Sequence, residues 1–183
     1  IGHSAGGLWT QLLLARGFGA AGAAICSVPT EGVHVTPVSQ IRSVFPVLKN
    51  PANIHKAVPL SEKQWHYAFA NTVSEEESKA LWDKYAIAAS GSLVFEGILA
   101  NVKPGHQAPW VDYEADRAPL LFISGSEDHI MPAKVQASNA KHYGDNLVTE
   151  HKVFEGRDHA CIAEEGWQDI ADYALDWTVA QAA

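Results

Sequence analysis

The sequence predicts an α/β fold, in which helices flank a parallel β-sheet. Three observations indicate this class: short apolar runs typical of buried strands, helical segments that alternate with them, and a last helix with a regular apolar stripe. Alternation of this kind is typical of parallel strands joined by right-handed crossovers. We therefore expect one compact unit whose strands end at a common edge of the sheet.

The first predicted elements follow a short motif at the start of the chain. Apolar residues recur there at helical spacing and predict a helix that stops at Gly17. Residues 23–28 then form an apolar run, which predicts a buried strand.

Residues 30–119 predict a long, mainly helical insertion, because proline and glycine separate helical segments there. Two of its helices begin with capping boxes, at Ser61 with Gln64 and at Ser74 with Glu77. Apolar residues at helical spacing indicate two more helices, one with Ile41, Val44, Phe45 and Leu48, and one with Phe95, Ile98, Leu99 and Val102.

Strands and helices alternate again after the insertion. Residues 120–124 predict a buried strand, residues 132–143 a helix and residues 148–154 a further strand. The last helix is predicted by an apolar stripe suited to lie on a sheet: Trp167, Ile170, Ala171, Ala174 and Trp177.

The motif at the start of the chain is G-x-S-x-G, with Gly2, Ser4 and Gly6 at its fixed positions. In a nucleophile elbow, this pattern makes a sharp turn from strand to helix that exposes the serine hydroxyl and requires small flanking residues. The pattern occurs by chance in roughly one random chain of this length in twenty. The predicted helix that follows it favours the elbow over an ordinary helix cap at Ser4.

Composition excludes several functional classes. The net charge is −8, from 21 acidic and 13 basic residues without a basic cluster, which argues against a nucleic-acid partner. No apolar run is long enough to span a bilayer. Cys26 and Cys161 are far apart without a C-x-x-C motif, so free buried thiols are the favoured interpretation. None of the nine histidines belongs to a metal-binding motif, so we expect no metal site.

A serine nucleophile needs a base, and in this architecture the order along the chain is serine, acid, histidine. Asp128 follows the strand at 120–124, and His159 follows the strand at 148–154. Both loops are therefore expected at the same sheet edge as Ser4.

Other residues compete for these roles. Glu127, Glu31 and Asp158 are alternative acids, and His129 and His151 are alternative bases. We favour Asp128 and His159 because each leaves a strand at the expected edge. The aromatic residues of the insertion either line a pocket or form a small core, and we favour the core: Trp65, Phe69, Trp82, Tyr85 and Trp110.

The segments GHSAGG, LLFISGSEDHIMPA and FEGRDHA resemble the serine, acid and histidine segments of the α/β-hydrolase superfamily, in the same order. The resemblance implies that Ser4 is the nucleophile, that His159 is the general base and acid, and that Asp128 orients the imidazole. It also implies that the backbone N–H of Ala5 is one oxyanion-hole donor.

The resemblance covers the carboxyl-terminal half of the family and implies a partial α/β-hydrolase fold without the amino-terminal strands. Residues 1–29 and 120–183 are expected to form the core, and residues 30–119 a mainly helical cap. The early strands and the loop with the second oxyanion donor are then missing. We therefore expect the isolated 183-residue chain to be poorly folded and inactive.

These features predict a serine hydrolase that cleaves a carboxylic ester of a small or medium uncharged substrate through an acyl-enzyme on Ser4. Acyl transfer, lactone or carbon–carbon bond hydrolysis, peracid formation and non-catalytic ligand binding remain open, because fold and triad do not select among them. No metal or organic cofactor is implied. We expect a small-molecule partner, no membrane and a cytoplasmic location; the sequence does not predict the oligomeric state.

Overall fold

The computed structural model describes residues 1–145 and 147–183. In chain order its elements are β1 (Gly2–His3), α1 (Ala5–Leu14), β2 (Gly22–Ile25), α2 (Val38–Leu48), a 3₁₀ helix (Pro51–His55), β3 (Ala57–Val58), α3 (Glu62–Ala68), α4 (Glu75–Tyr85), β4 (Ala89–Ser90), α5 (Gly91–Leu99), β5 (Leu120–Gly125), α6 (Ala133–Lys141), β6 (Thr149–Phe154) and α7 (Trp167–Ala182).

The main sheet has the strand order β1-β2-β5-β6, and all neighbouring strands are parallel. This confirms the predicted α/β class with a parallel sheet and flanking helices. Strand β1 has only two residues and lies at one edge of the sheet. Because the strands are parallel, the loops that follow them lie at one common edge.

Two apolar clusters cover the two faces of the sheet. Alternate residues of a strand point to opposite faces. On one face, Leu121 and Ile123 pack with Ile170 and Ala174 of α7. On the other face the cluster contains Leu14, Ala24, Val111, Leu120, Phe122 and Tyr143. The stripe predicted on the last helix therefore packs on the sheet, although Trp167 at its start is 44% exposed.

Helices α2 to α5 lie between β2 and β5 in the chain. The capping box at Ser61 is complete, with the Gln64 side chain returning to the Ser61 backbone. At Ser74 only one of the two hydrogen bonds of a capping box is present: the Ser74 hydroxyl accepts from Glu77 N, but the Glu77 side chain does not accept from Ser74 N. The sequence did not predict β3 and β4, an antiparallel pair of two residues each, because strands this short have no readable alternation.

Within the described part of the chain, no helix has the length and apolar character needed to cross a membrane.

Candidate active site

Ser4 lies on the turn between β1 and α1, with φ 54° and ψ −118°. Positive φ is uncommon for a residue with a side chain, so the surrounding contacts must hold this conformation. Ser4 N donates to Ile25 O at 2.9 Å, and Ser4 O accepts from Val28 N at 3.0 Å. The turn is therefore fixed against the end of β2.

The two motif glycines differ in how strongly packing requires them. A Cβ on Gly2 would lie 2.1 Å from Gly6 O, which no side chain can occupy. A Cβ on Gly6 would meet no described atom within 4 Å. Packing therefore explains the glycine at position 2, whereas the expected steric requirement at position 6 is not present within the described residues.

Ala5 is the first residue of α1. The N–H groups of the first helical turn have no acceptor within their own helix, and the positive end of the helix dipole favours negative charge there. The predicted role of the Ala5 N–H in an oxyanion hole is consistent with this position and stays a prediction.

Asp128 and His159 are in direct contact, and both side chains are fully buried. His159 Nδ1 donates to Asp128 Oδ2 at 2.8 Å. The other carboxylate oxygen accepts from Ile130 N at 2.9 Å and from Met131 N at 2.7 Å. Both oxygens therefore have fixed donors, which sets the orientation of the carboxylate and of the imidazole it holds.

Opposing effects act on the Asp128 carboxylate. Burial by itself would raise its pKa, but the charge and hydrogen bond of His159, together with the Met131 N–H, hold the pKa of Asp128 below its usual value. The group is therefore ionised at neutral pH, as a partner for an imidazolium must be.

The loops that carry the acid and the base are joined directly. Glu127 N donates to Arg157 O at 2.9 Å, and Ser126 N donates to Phe154 O at 3.0 Å. A Cβ on Gly125 would lie 2.2 Å from Arg157 O. The end of β5 therefore needs a glycine for the two loops to approach each other.

The structure joins the acid and the base, but no hydrogen bond links the Ser4 hydroxyl to the imidazole. His159 Nε2 is buried and has no hydrogen-bond partner among the described residues. Ser4 is next in the chain to His3, whose ring contacts the His159 ring. Catalytic hydrogen bonds are often long before substrate binds, and Ser4 as the nucleophile stays a prediction.

The alternative acids are engaged elsewhere. Glu127 is exposed. Glu31 accepts from Gln107 N at 2.6 Å, within the insertion. Asp158 is buried and accepts from the backbone and side chain of Thr72.

The alternative bases also have other partners. His129 Nδ1 donates to Tyr67 O at 2.8 Å. His151 Nε2 is hydrogen-bonded to Ser124 Oγ at 2.8 Å, and burial lowers its pKa. His159 is thus the histidine that the described structure pairs with the predicted acid.

The sequence assigns no role to His3, which occupies the unspecified position between Gly2 and Ser4 in the G-x-S-x-G motif. Its ring centroid is 4.6 Å from that of His159, and its Nε2 donates to His159 O at 2.9 Å. Burial, and then the charge of His159, lowers the pKa of His3 to about 3. His3 is therefore a neutral donor at neutral pH, and nothing in the motif pattern distinguishes it from any other residue there.

Cys26 and Cys161 are free and buried, as predicted, and their sulfur atoms lie 3.8 Å apart. The hydrogen bond to Cys161, and then burial, raises the pKa of the Cys26 thiol. His3, Cys26 and His159 place potential metal ligands within 4.8 Å of one another. A protonated thiol and a His3 nitrogen already bound to a carbonyl suit a cation poorly.

Two insertion aromatics reach the candidate site. Phe69 packs its ring at right angles to the His159 ring, with centroids 5.0 Å apart, and Trp65 stacks on Phe69 at 4.3 Å. Tyr85 and Trp110 are substantially exposed instead. None of the five aromatic residues is fully buried, so the predicted small core is wrong for Tyr85 and Trp110, and Trp65 and Phe69 instead form a stacked pair beside the candidate base.

A cavity of about 350 Å³ lies between the start of α4 and the loop before His159. Its lining is mostly polar and includes Thr72, Glu77, Arg157 and Glu164. Ser4 does not line it, so this cavity is not the place where a bound acyl group would meet the candidate nucleophile.

The model of the alpha/beta hydrolase family matches residues 1–173. The chain belongs to this family. No curated protein matches the sequence of this chain.

Solved structures of several alpha/beta hydrolases have the same fold at low sequence identity. The monoacylglycerol lipase of Paleococcus ferrophilus is 16% identical, with a TM-score of 0.63, over 98% of this chain and 67% of that one. A putative non-heme bromoperoxidase of Mycobacterium tuberculosis is 13% identical, with a TM-score of 0.65, over 100% and 66%. The 2-hydroxy-6-oxo-6-phenylhexa-2,4-dienoate hydrolase of Rhodococcus sp. is 18% identical, with a TM-score of 0.58, over 96% and 61%.

The chain thus spans about two thirds of the length of these structures. At such identities the likeness shows the fold alone.

Proposed function

We propose that this chain carries the catalytic residues of a serine hydrolase that cleaves a carboxylic ester of a small or medium uncharged substrate. One observation carries the proposal: the buried pair of His159 and Asp128 stands at the same sheet edge as a serine held at positive φ on a strand-to-helix turn. This is the arrangement that activates a hydroxyl for attack on an acyl carbon.

In the proposed reaction, Ser4 Oγ attacks the ester carbonyl carbon while its proton passes to His159 Nε2. The tetrahedral intermediate collapses, the bond to the alcohol oxygen breaks, and the imidazolium returns the proton to the leaving alcohol. The same imidazole then takes a proton from water, whose oxygen attacks the carbonyl carbon of the acyl-enzyme. The bond to Ser4 Oγ breaks, the imidazolium returns the proton to Ser4 Oγ, and the acid is released. Asp128 stabilises the imidazolium in both halves.

The Ala5 N–H is proposed as one donor to the oxyanion that forms on the carbonyl oxygen. Loss of one such donor typically lowers turnover by about 10²–10³-fold. Each step uses a hydroxyl, an imidazole, a carboxylate and water, so the proposed cycle requires neither a metal nor an organic cofactor.

The preference for an uncharged substrate is supported by the side chains around the base. Phe69 packs against the His159 ring, and Trp65 stacks on Phe69. Apolar cover excludes water from an acyl-enzyme and gives no partner to a charged group. We propose that residues 30–119 act as a cap over the core formed by residues 1–29 and 120–183.

A second candidate is another reaction of the same three residues. The similar folds include a protein described as a bromoperoxidase and one described as a dienoate hydrolase, so the fold does not select the acyl acceptor or the bond cleaved. Acyl transfer, lactone or carbon–carbon bond hydrolysis and peracid formation all begin at the same site.

The test uses the natural protein that contains this chain, with p-nitrophenyl esters of increasing acyl length. We expect hydrolysis with an initial burst of p-nitrophenol when deacylation is slower than acylation, and its loss in Ser4→Ala. Product analysis with water, alcohol and peroxide as competing acceptors separates hydrolysis from acyl transfer and peracid formation. A folded protein that binds esters without turnover would instead support a non-catalytic relative.

A further inference from the structure

Asp158 is a fully buried carboxylate beside the candidate base, and the proposed reaction does not use it. Its Oδ2 accepts from Thr72 N at 2.9 Å and from Thr72 Oγ1 at 2.8 Å, and its Oδ1 accepts from Ala160 N at 2.9 Å. No Lys, Arg or His forms an ion pair with it among the described residues. Burying a carboxylate is costly, so its donors must fix it in place.

These donors come from two parts of the chain. Thr72 belongs to the segment between α3 and α4, which we call the 69–72 loop (residues 69–72). Ala160 directly follows His159. The carboxylate of Asp158 therefore holds a loop of the insertion and the backbone of the candidate base in one hydrogen-bonded unit.

The 69–72 loop has further contacts on both sides of the acid–base pair. Ala160 N also donates to Phe69 O at 2.7 Å, and the Phe69 ring packs against the His159 ring. Asn71 Nδ2 donates to Glu127 O at 3.0 Å, on the loop that carries Asp128. A displacement of this loop would thus be transmitted to both partners of the pair.

We propose that Asp158 is a positioning residue that, through Thr72, couples the insertion to the His159 imidazole. The inference rests on the proposed function for its catalytic consequence. When the Thr72 hydroxyl is bound, the 69–72 loop presses Phe69 onto His159 and the ring keeps its alignment toward Ser4. When that bond is lost, the loop loosens, the contact of Phe69 with His159 weakens and the ring loses its fixed orientation.

Asp158 cannot replace Asp128 as the orienting acid in this arrangement. His159 Nδ1 is bound to Asp128, and both oxygens of Asp158 are bound to Thr72 and Ala160. Its influence on His159 is therefore exerted through the backbone and through the 69–72 loop.

The test compares Thr72→Val, which removes the hydroxyl at nearly constant shape, with Thr72→Ser, which keeps it. The matched control is Thr30→Val. Thr30 is also buried, and its hydroxyl joins Tyr113 of the insertion to Asn139 of α6, without contact to the His159 loop. All variants are made in the natural protein that contains this chain and are assayed well below their unfolding temperatures.

We expect Thr72→Val to lower kcat on p-nitrophenyl esters about tenfold with little change in KM, since a small misplacement of a catalytic group can cost up to about 100-fold. Thr72→Ser should restore kcat. Thr30→Val should lower the unfolding temperature and leave kcat unchanged. A Thr72→Val protein with normal kcat, or a Thr72→Ser protein as slow as Thr72→Val, overturns the proposal.

Asp158→Asn supplies a second, isosteric variant if Thr72→Val does not fold. Its amide N–H₂ must face one of the donors, so one side of the coupling breaks. The two variants should be non-additive in log kcat, because they break the same link. Additive effects would contradict the coupling.

A readout without turnover separates this inference from the proposed function. Exchange of the His159 Nδ1 proton with solvent, followed by NMR, should accelerate in Thr72→Val and not in Thr30→Val. If the parent protein lacks esterase activity, the proposed function fails and this measurement still decides the coupling. Equal exchange rates in the parent and in Thr72→Val would overturn it.

Discussion

The imidazole of His3 lies against the imidazole of His159, with ring centroids 4.6 Å apart, and donates to the His159 carbonyl at 2.9 Å. The residue before the candidate nucleophile thus contacts the candidate base directly. Because the carbonyl of His159 can only accept, His3 Nε2 must carry a proton while the ring stays neutral.

This contact predicts a pH dependence of stability. The pKa of His3 is lowered to about 3 in the folded protein, whereas an unfolded histidine titrates near 6.5. Below about pH 6.5 the unfolded state binds a proton that the folded state does not, so stability falls as pH decreases toward 3. The contribution of this group is at most about 1.4 kcal/mol per pH unit.

Denaturant unfolding of the parent protein and of His3→Gln between pH 7 and pH 4 measures this contribution. Glutamine keeps an N–H donor but has no titrating ring. The slope of unfolding free energy against pH should therefore decrease by up to about 1.4 kcal/mol per pH unit, which corresponds to one proton. Identical slopes in both proteins would rule out His3 as its source.

Replacement of Asp128 tests the acid–base pair. We expect Asp128→Asn to lower kcat by roughly 10³–10⁴-fold while the fold is kept, because a neutral amide does not stabilise the imidazolium and permits the wrong tautomer. Glu127→Gln is the matched control, since Glu127 is adjacent but exposed. Steady-state kinetics with circular dichroism checks both variants, and a loss of similar size in Glu127→Gln would count against Asp128.

The close approach of the acid and base loops depends on Gly125. A Cβ there would overlap Arg157 O, so Gly125→Ala should reduce the free energy of unfolding by about 1–3 kcal/mol and also lower kcat. Gly97→Ala in α5 is the control, because a Cβ there meets no described atom. It should leave stability unchanged or raise it by about 0.5–1 kcal/mol. Equal unfolding midpoints for the two variants would contradict the predicted overlap.

The two cysteines are expected to be unreactive in the folded protein. Both are fully buried, and the pKa of the Cys26 thiol is raised, so little thiolate is available. Iodoacetamide at pH 8 should alkylate them on the order of 100-fold more slowly than in urea, since reaction requires opening of the structure. Rapid native labelling, followed by mass spectrometry, would contradict this burial.

The sequence predicted the elements that have strong local patterns. The apolar runs predicted strands β2 and β5, a further strand was predicted where β6 lies, and the apolar stripe of α7 indicated its packing face. The elbow motif indicated the turn at Ser4, and strand ends indicated that Asp128 and His159 lie at the same edge. These predictions succeed because periodicity and motif chemistry are local properties.

The remaining features depend on long-range contacts that no local pattern records. The approach of Cys26 to Cys161, the contact of His3 with His159 and the link from Thr72 to Asp158 each join distant segments. The sequence shows only that Asp158 lies next to His159. It does not show whether the carboxylate orients the imidazole or binds a distant loop, and so it indicates Asp158 only as an alternative acid.

The most direct test of the account is the site at which a fluorophosphonate probe reacts in the natural protein that contains this chain. We predict one covalent adduct, located on Ser4 by peptide mass spectrometry, absent in Ser4→Ala and strongly slowed in His159→Asn. A folded protein with no adduct, or with its adduct on another serine, would contradict the assignment of Ser4 as a nucleophile activated by His159 and Asp128.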